Sequence, residues 1–461
     1  MKKKRNIDSD FILNGKLMSV LMAVSLPLMV NNLIVTLYNL ADGLWVARLS
    51  STQFAATSFT WPVQYLFISL ALGVSIAGTS LIARYIGAKR KRDAARYANH
   101  VIVLLASIGL VFSIVGYLIA PVIIKLMGAT GDLRTLSTIY LQMNFFGFFF
   151  DSMFFSFQAI LNAQGQTKHT TIVTGISSII NIGLDPILIF DKIPFLNIPG
   201  FGMGIAGAAC ATVISKVFSF AIGIYLIKTK SKEVKLDFKD FKFESKIGAN
   251  IIKSGIPTAV GQSAAAFGFT ILNSFIVSFG TATVAAFSMV NRMTDIMMQP
   301  IAGISGGITS IIAQNLGANQ GIRARKFFFA AVKIVLAISI VSAIAIKIFD
   351  IELINLFISE KDGIEVIKEA KNYINYSIIN IPLMGLFNIF AGVFQGTGNM
   401  KYSMNMSIFR LWIVRLPLVY FFMKFTTLSS SGVWIAMVVS NTLVSIYAYS
   451  LYKRIKWDTN N

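Results

Sequence analysis

The sequence predicts an all-α membrane protein with twelve transmembrane helices in two pseudo-symmetric six-helix lobes. Three observations support this prediction: recurrent apolar runs, few charged residues and a sequence repeat between the two halves. Of the 461 residues, 55% are hydrophobic and 13% are charged, whereas soluble domains carry about 25% charged residues. A bilayer imposes such a deficit, because a charged side chain at the centre of a spanning helix costs about 2.5–3.5 kcal/mol on insertion scales.

Twelve apolar segments are each long enough to cross about 30 Å of hydrocarbon. They cover residues 17–45, 53–85, 95–119, 135–161, 169–190, 203–227, 251–278, 283–315, 326–348, 367–394, 402–424 and 432–452. With twelve spans, five basic clusters fall on one side of the membrane: Lys2–Arg5, Lys89–Arg92, Lys228–Lys246, Arg323–Lys326 and Lys453–Lys456. Since Lys and Arg concentrate in cytoplasmic loops, we expect a multi-pass protein of the inner (cytoplasmic) membrane with both termini cytoplasmic.

The chain divides near its middle. Residues 229–249 belong to the one long, polar stretch of mixed charge, which is typical of a cytoplasmic linker. It separates an amino-terminal lobe, residues 1–228, from a carboxy-terminal lobe, residues 250–461.

The two lobes share sequence. Three motifs recur 230 residues later without a gap: Ser25-Leu26-Pro27 as Gly255-Ile256-Pro257, Thr79–Ala83 as Thr309–Ala313, and Gly87-Ala88 as Gly317-Ala318. Because each unit holds an even number of spans, both insert with the same orientation, as in carriers with parallel repeats. Such a fold favours a central cavity that opens alternately to the two sides.

Composition argues against several other classes of protein. The net charge of +21 could indicate nucleic-acid binding, but the basic residues lie in loops between apolar segments, so we expect no nucleic-acid partner. The single Cys210 rules out a disulfide within the chain, and His100 and His169 lack the neighbours of a transition-metal site. No nucleophile–base or metal motif of a membrane enzyme is evident. We therefore expect no enzyme activity and no cofactor.

Asp42 is the first candidate for a functional acid inside the membrane. Tyr38, Asp42 and Trp45 share one helical face by their spacing. Desolvation disfavours the charged form of a carboxyl group, so Asp42 could bind a proton or a sodium ion. The alternative is an interfacial acid beside a belt of Trp and Tyr.

Asp185 is the second candidate. Asn181 and Asp185 are four residues apart and face the same way, and Pro186 frees the Ile182 carbonyl from its helical hydrogen bond. These oxygen ligands suit sodium or a proton. The alternative is a solvated Asp at the end of a proline-kinked helix.

Pro27 lies upstream of Asp42 in the first helix, where it would free the Ala23 carbonyl. It predicts either a hinge or a static kink. Asp151 is surrounded in sequence by phenylalanines and shares a face with Gln158. A buried acid among aromatic rings suits a lipophilic cation, and a hydrogen bond to a neighbouring helix is the alternative.

Asp295 follows Arg292 by three residues. A neutralising pair within one helix is the favoured explanation of this acid. Arg410 and Arg415, also within apolar segments, either support the structure or balance acids across the lobes.

With these residues the chain resembles the multidrug and toxic compound extrusion (MATE) family. Within that family it is most similar to the branch named for DNA-damage-inducible protein F. The resemblance rests on Tyr38–Trp45, Asn181–Pro186, and the Gly87-Ala88 and Gly317-Ala318 loops. It implies a V-shaped arrangement of the two lobes and an ion-coupling site in the amino-terminal lobe. Carried over by position, that site comprises Tyr38, Asp42, Asn181, Asp185 and Thr212, of which the last four could also hold sodium. Gln158 stands where the family often has an amide.

The resemblance gives little support for a second ion site in the carboxy-terminal lobe. Residues 258–269 and 393–399 carry no acid where another branch of the family does. The resemblance implies a secondary active exporter that antiports lipophilic, often cationic, compounds against H+ or Na+. Because a carrier with parallel repeats can work as a single subunit, we expect a monomer. A flippase for lipid-linked oligosaccharides from the same wider superfamily is the alternative function.

Overall fold

Twelve long helices and two short ones, Ser9–Asn14 and Asp350–Asn355, make up most of the described residues in the computed structural model. It describes residues 8–194, 196, 198–231, 233–236, 238–239, 241–355 and 363–457. The long helices are α1 Leu17–Ala47, α2 Ser51–Gly87, α3 Lys91–Leu126, α4 Gly131–Ala163, α5 Thr167–Ile189, α6 Ile205–Lys230, α7 Ser245–Val277, α8 Thr281–Gly317, α9 Gly321–Ile348, α10 Ile364–Gly396, α11 Met400–Phe425 and α12 Ser430–Tyr452. All twelve are long and apolar enough to cross a membrane. The predicted all-α fold with twelve spans is confirmed.

The helices extend past the apolar segments at most of their ends. For example, α7 begins at Ser245, because a polar first turn can lie at the membrane surface, where hydropathy does not reveal it. Helices α6 and α7 are separated by residues 231–244, so the predicted linker of 229–249 is longer than the stretch between the helices. The basic cluster Lys2–Arg5 lies outside the described residues.

The residues of the sequence repeat form equivalent hydrogen bonds in the two lobes. In each lobe, a Ser and a Thr of the second helix donate to carbonyl groups of the fourth helix. The four bonds are Ser75 Oγ to Phe155 O (2.9 Å), Ser305 Oγ to Asn388 O (2.6 Å), Thr79 Oγ1 to Ala159 O (3.4 Å) and Thr309 Oγ1 to Gly392 O (3.1 Å). The loops that follow α2 and α8 also match, since Lys89 and Asn319 both adopt a left-handed backbone with φ of 58° and 57°. The lobes therefore repeat a common backbone arrangement.

The lobes meet through the backbone at the ends of α2 and α8. A Cβ atom on Gly87 would overlap the backbone of Gln314, and a Cβ atom on Gly317 would overlap that of Arg84. The two contacts are reciprocal, because each pair of equivalent residues is 230 positions apart. Only glycine allows this approach.

Other contacts between the lobes also lie toward the side of the membrane that carries the linker, here called the linker side. Ser80 Oγ donates to Gln395 O at 2.7 Å, and Gln314 Nε2 donates to Ala163 O at 2.7 Å. Ser69 and Ser263 exchange a hydroxyl–hydroxyl bond of 2.6 Å farther along α2. These contacts join the lobes from the linker side as far as the middle of α2.

Candidate functional site

Four helices of the amino-terminal lobe, α1, α4, α5 and α6, surround the predicted coupling residues. The end of α5 is closed by the loop that follows it: Phe201 N–H donates to Ile187 O and Met203 N–H donates to Leu188 O, both at 2.9 Å. This loop covers the turn that contains Pro186. As a result Asp185 has no exposed surface, so the alternative of a solvated Asp at a helix end is wrong.

Asn181 links Asp185 to the neighbouring helix α6. Its amide is satisfied at both ends when Nδ2 donates to Asp185 Oδ2 at 3.1 Å and Oδ1 accepts from the Thr212 N–H at 3.1 Å. The Thr212 hydroxyl in turn donates to Ala208 O at 3.1 Å. Asn181 is fully buried and Thr212 nearly so. The structure thus brings three of the predicted residues into one hydrogen-bonded group.

Asp42 and Tyr38 reach this group from α1. The Tyr38 phenol interacts with the Thr212 hydroxyl and lies within electrostatic range of Asp42 and Asp185. Asp42 and Asp185 also interact with each other. All five residues expected from the family resemblance therefore converge at one place.

Each of the two carboxylates keeps an oxygen free. Asp42 Oδ1 and Asp185 Oδ1 are buried from solvent and have no hydrogen-bond partner in the structure. A buried, unpaired anionic oxygen is unfavourable, and a proton or a cation on it removes the penalty. The donor set fits a hard cation or a proton, since its ligands are oxygens.

Asp151 has a partner that the sequence analysis missed. Lys216 Nζ of α6 lies 2.6 Å from Asp151 Oδ2. Both side chains line a cavity of about 120 Å³ together with Tyr38 and Asn181. The tertiary contact weighed as the alternative for Asp151 is therefore present, as an ion pair. Gln158 is half-buried on the same helix but outside this lining.

Pro27 lies within α1 and is held against α5. Thr171 Oγ1 donates to the Pro27 carbonyl and Thr167 Oγ1 to the Val24 carbonyl, both at 2.7 Å. The two threonines belong to the first turns of α5, whose later turns carry Asn181 and Asp185. The proline region of α1 and the coupling residues are thus connected through a single helix.

The carboxy-terminal lobe has a larger cavity of about 390 Å³, lined in part by Asp295, Arg410 and Arg415. The expected pairing of Asp295 with Arg292 is wrong: among the ion pairs of the described residues it is absent. Both side chains are exposed, so neither needs the other to offset burial. Asp295 instead faces the cavity.

Two residues near the coupling group escaped the sequence analysis. Tyr140 of α4 is mostly buried and lies within electrostatic range of Asp42 and Asp185. Lys216 acts electrostatically on Asp42 as well as pairing with Asp151. A lysine in the middle of an apolar span was a usable signal, because ionisable residues inside membrane helices are rarely incidental. Tyr140 offered no comparable signal.

Comparison with known proteins identifies one family. The MatE family model matches residues 27–187 and 257–421. The chain is 23% identical to the probable multidrug resistance protein YoeA of Bacillus subtilis, over 93% of this chain and 91% of that protein. It is 26% identical to the multidrug export protein MepA of Staphylococcus aureus, over 95% of each.

A solved structure shows the same agreement in three dimensions. The outward-facing conformation of a multidrug resistance MATE family transporter superimposes with a TM-score of 0.89 at 27% identity, over 99% of each chain. Contacts between the lobes on the linker side of this chain are compatible with that state.

Proposed function

The chain belongs to the MatE family of multidrug efflux transporters, and on that basis we propose that it is a secondary active exporter that antiports organic compounds against H+ or Na+. It is a multi-pass membrane transporter and not an enzyme. The linker side is the cytoplasmic side, where both termini lie, and the membrane is the inner membrane. One subunit is sufficient for transport, because each chain contains both lobes and the cleft between them.

One observation supports ion coupling above the others. Asp42 and Asp185 come from different helices, lie within electrostatic range of each other, and each has a buried oxygen without a partner. Charge neutralisation by an ion is therefore favourable at this place. Asn181 and Thr212 supply further oxygens, so that both a proton and sodium are suitable coupling ions.

Ion binding is coupled to movement through α1. When an ion neutralises Asp42, the attraction of this residue for Lys216 is lost, and the polar contacts that hold the outer part of α1 change. The helix then bends at Pro27, narrows the cleft and releases the cargo outward. The ion thus interacts differently with two states, which coupling requires. One charge that crosses 100 mV provides about 2.3 kcal/mol.

The cargo binds in the cleft between the lobes. The Asp151–Lys216 pair lines the cavity of the amino-terminal lobe, together with the rings of Phe154 and Tyr38. Asp151 is available to a lipophilic cation that displaces Lys216, and aromatic faces add cation–π attraction. Lipophilic organic cations are therefore one class of substrate.

Ethidium efflux from pump-deficient bacteria tests this function. The comparison is between the wild type, Asp42→Asn and a matched control, Asp132→Asn, which removes an exposed acid at the start of α4. We expect efflux from the wild type and the control at equal membrane expression, and loss of efflux from Asp42→Asn.

Equal efflux from all three variants would refute the role of Asp42. No efflux from the wild type would refute ethidium export and direct attention to the lipid-linked oligosaccharide flippase. With purified protein in liposomes, an imposed sodium gradient and an imposed pH gradient then identify the coupling ion.

A further inference from the structure

The cavity of the carboxy-terminal lobe contains two buried arginines. Arg410 and Arg415 both belong to α11, with exposed fractions of 3% and 1%, and both line the cavity of about 390 Å³. Such burial is unusual for arginine, which is rarely fully buried unless it is paired. Their surroundings therefore indicate what the cavity can bind.

A local change of helix type places both arginines on one face. Residues Phe409–Arg415 form a π-helix within α11. In an α-helix, side chains five apart lie on different faces at about 100° per residue, whereas i→i+5 bonding in a π-helix brings them into line. Such π-helical turns occur frequently at functional sites. The two guanidinium groups thus reach the same cavity.

The protein does not neutralise these charges locally. No described carboxylate forms an ion pair with Arg410 or Arg415. Arg415 is held by neutral groups: Nε donates to Ser440 Oγ at 2.9 Å and Nη2 to Asn441 Oδ1 at 2.7 Å. These bonds fix its position but leave its charge uncompensated.

Arg410 is less well satisfied. Its Nη1 contacts the Met384 sulfur at 2.6 Å, and its guanidinium lies 4.3 Å from the centre of the Phe387 ring. Sulfur is a weak acceptor. The buried Nε of Arg410 has no hydrogen-bond partner. A buried cation with an unused donor, beside a second buried cation, leaves room for an anionic group.

The remaining lining combines apolar and neutral polar side chains. Phe269, Phe287 and Tyr373 contribute rings, Met298 and Met437 contribute flexible side chains, and four asparagines, a threonine and a serine contribute neutral polar groups. Asp295 is the one acid of this lining, and its exposed carboxylate does not pair with either arginine. Pockets of roughly 300–1,000 Å³ that combine apolar walls with placed polar groups accept small organic molecules.

We propose that the carboxy-terminal lobe binds an aromatic organic anion whose carboxylate or sulfonate group is held by Arg410 and Arg415 on the π-helical face of α11. Arginine suits this role because its planar guanidinium holds such groups through two hydrogen bonds. The site extends the substrate range beyond lipophilic cations. Transport of the anion depends on the proposed export function, whereas binding of the anion does not.

Binding can be measured without an ion gradient. Fluorescein, an aromatic anion, and rhodamine 123, a cation with the same xanthene skeleton, are titrated with the purified full-length protein in lipid nanodiscs and followed by fluorescence anisotropy. We expect the wild type to bind fluorescein and Arg410→Gln to bind it at least tenfold more weakly, because a hydrogen bond to a charged group is lost. Arg410→Lys keeps the charge and should retain part of the affinity.

Arg292→Gln is the matched control. It removes an exposed arginine outside the cavity lining and should leave fluorescein affinity unchanged. Asp295→Asn removes the acid of the lining and should tighten fluorescein binding, the opposite of the arginine variants. Rhodamine 123 affinity should not fall in Arg410→Gln. All variants are compared as monodisperse samples. If Arg410→Gln does not fold, Arg415→Lys takes its place in the comparison, and it should bind fluorescein more weakly because lysine lacks the planar guanidinium.

Three results would overturn the proposal: no binding of fluorescein by the wild type, unchanged affinity in Arg410→Gln, or an equal loss in Arg292→Gln. Failure of this proposal is distinguishable from failure of the exporter function. Ethidium efflux without fluorescein binding would refute only the anion site. Fluorescein binding that depends on Arg410, without any ethidium efflux, would refute only the export of organic cations.

Discussion

The contact between Gly87 and Gln314 predicts that one added methyl group will shift the protein between its two states. Gly87→Ala places a Cβ atom where the Gln314 backbone lies when the linker side is closed. Overpacking of this kind costs typically 1–3 kcal/mol. The cost applies only while the lobes are in contact, so the state that is open on the linker side gains about 5–150-fold in relative population. Gly317→Ala should act similarly through Arg84.

Thiol labelling can measure this shift. Ser80 lies between the lobes, is 4% exposed and donates to the Gln395 carbonyl. In a Cys210→Ser background, which removes the one native cysteine, Ser80→Cys reports access to N-ethylmaleimide from the linker side. If opening precedes labelling in a fast equilibrium, the labelling rate should rise about 5–150-fold in Gly87→Ala, following the population.

Gly306→Ala is the control, because a Cβ atom there would contact only the end of the Leu28 side chain, at 3.4 Å. Its labelling rate should match that of the Ser80→Cys parent. Equal rates in Gly87→Ala and Gly306→Ala would show that the glycine contact does not bias the two states.

Further predictions concern the amino-terminal lobe. Asp185→Asn should abolish gradient-driven ethidium efflux while the protein still elutes as a monodisperse species, since the side chain keeps its size; efflux at the wild-type rate would exclude Asp185 from coupling. Thr171→Val removes the bond to the Pro27 carbonyl and should destabilise the protein by about 0.6–1.5 kcal/mol, seen as a lower melting temperature; an unchanged melting temperature would mean that this bond contributes little. Lys216→Met should strengthen rhodamine 123 binding because Asp151 loses its partner, whereas Lys216→Arg should not; equal affinity in both would count against Asp151 as a cation contact.

Much of the fold and five of the seven residues gathered at the candidate site could be predicted from the sequence and its family resemblance. Asp42 and Asp185 stand out because an acid within an apolar run is costly, and the i, i+4 spacing of Asn181 and Asp185 puts both on one face. The motifs that recur 230 residues apart predicted the division into two lobes. These properties depend on composition and helical period, which are visible in a single chain.

The arginine cavity could not be predicted in the same way. Arg410 and Arg415 lie on different faces if α11 is read as an α-helix, and only the π-helical segment brings them together. Local spacing also suggested the wrong partner for Asp295, since i, i+3 geometry allows a pair without requiring one. Nor does any sequence pattern indicate which side of the cleft is closed, because both states use the same helices.

The unlike charges inside the two lobes give the space between them a transverse electric polarity. The carboxylates of Asp42 and Asp185 lie within the amino-terminal lobe, and the guanidinium groups of Arg410 and Arg415 lie within the carboxy-terminal lobe. A zwitterionic guest in such a field experiences a torque that turns its ammonium end toward one lobe and its acidic end toward the other. Under the proposed ion coupling, discharge of the carboxylates would weaken this field, so that electrostatics would link the orientation of the guest to its release.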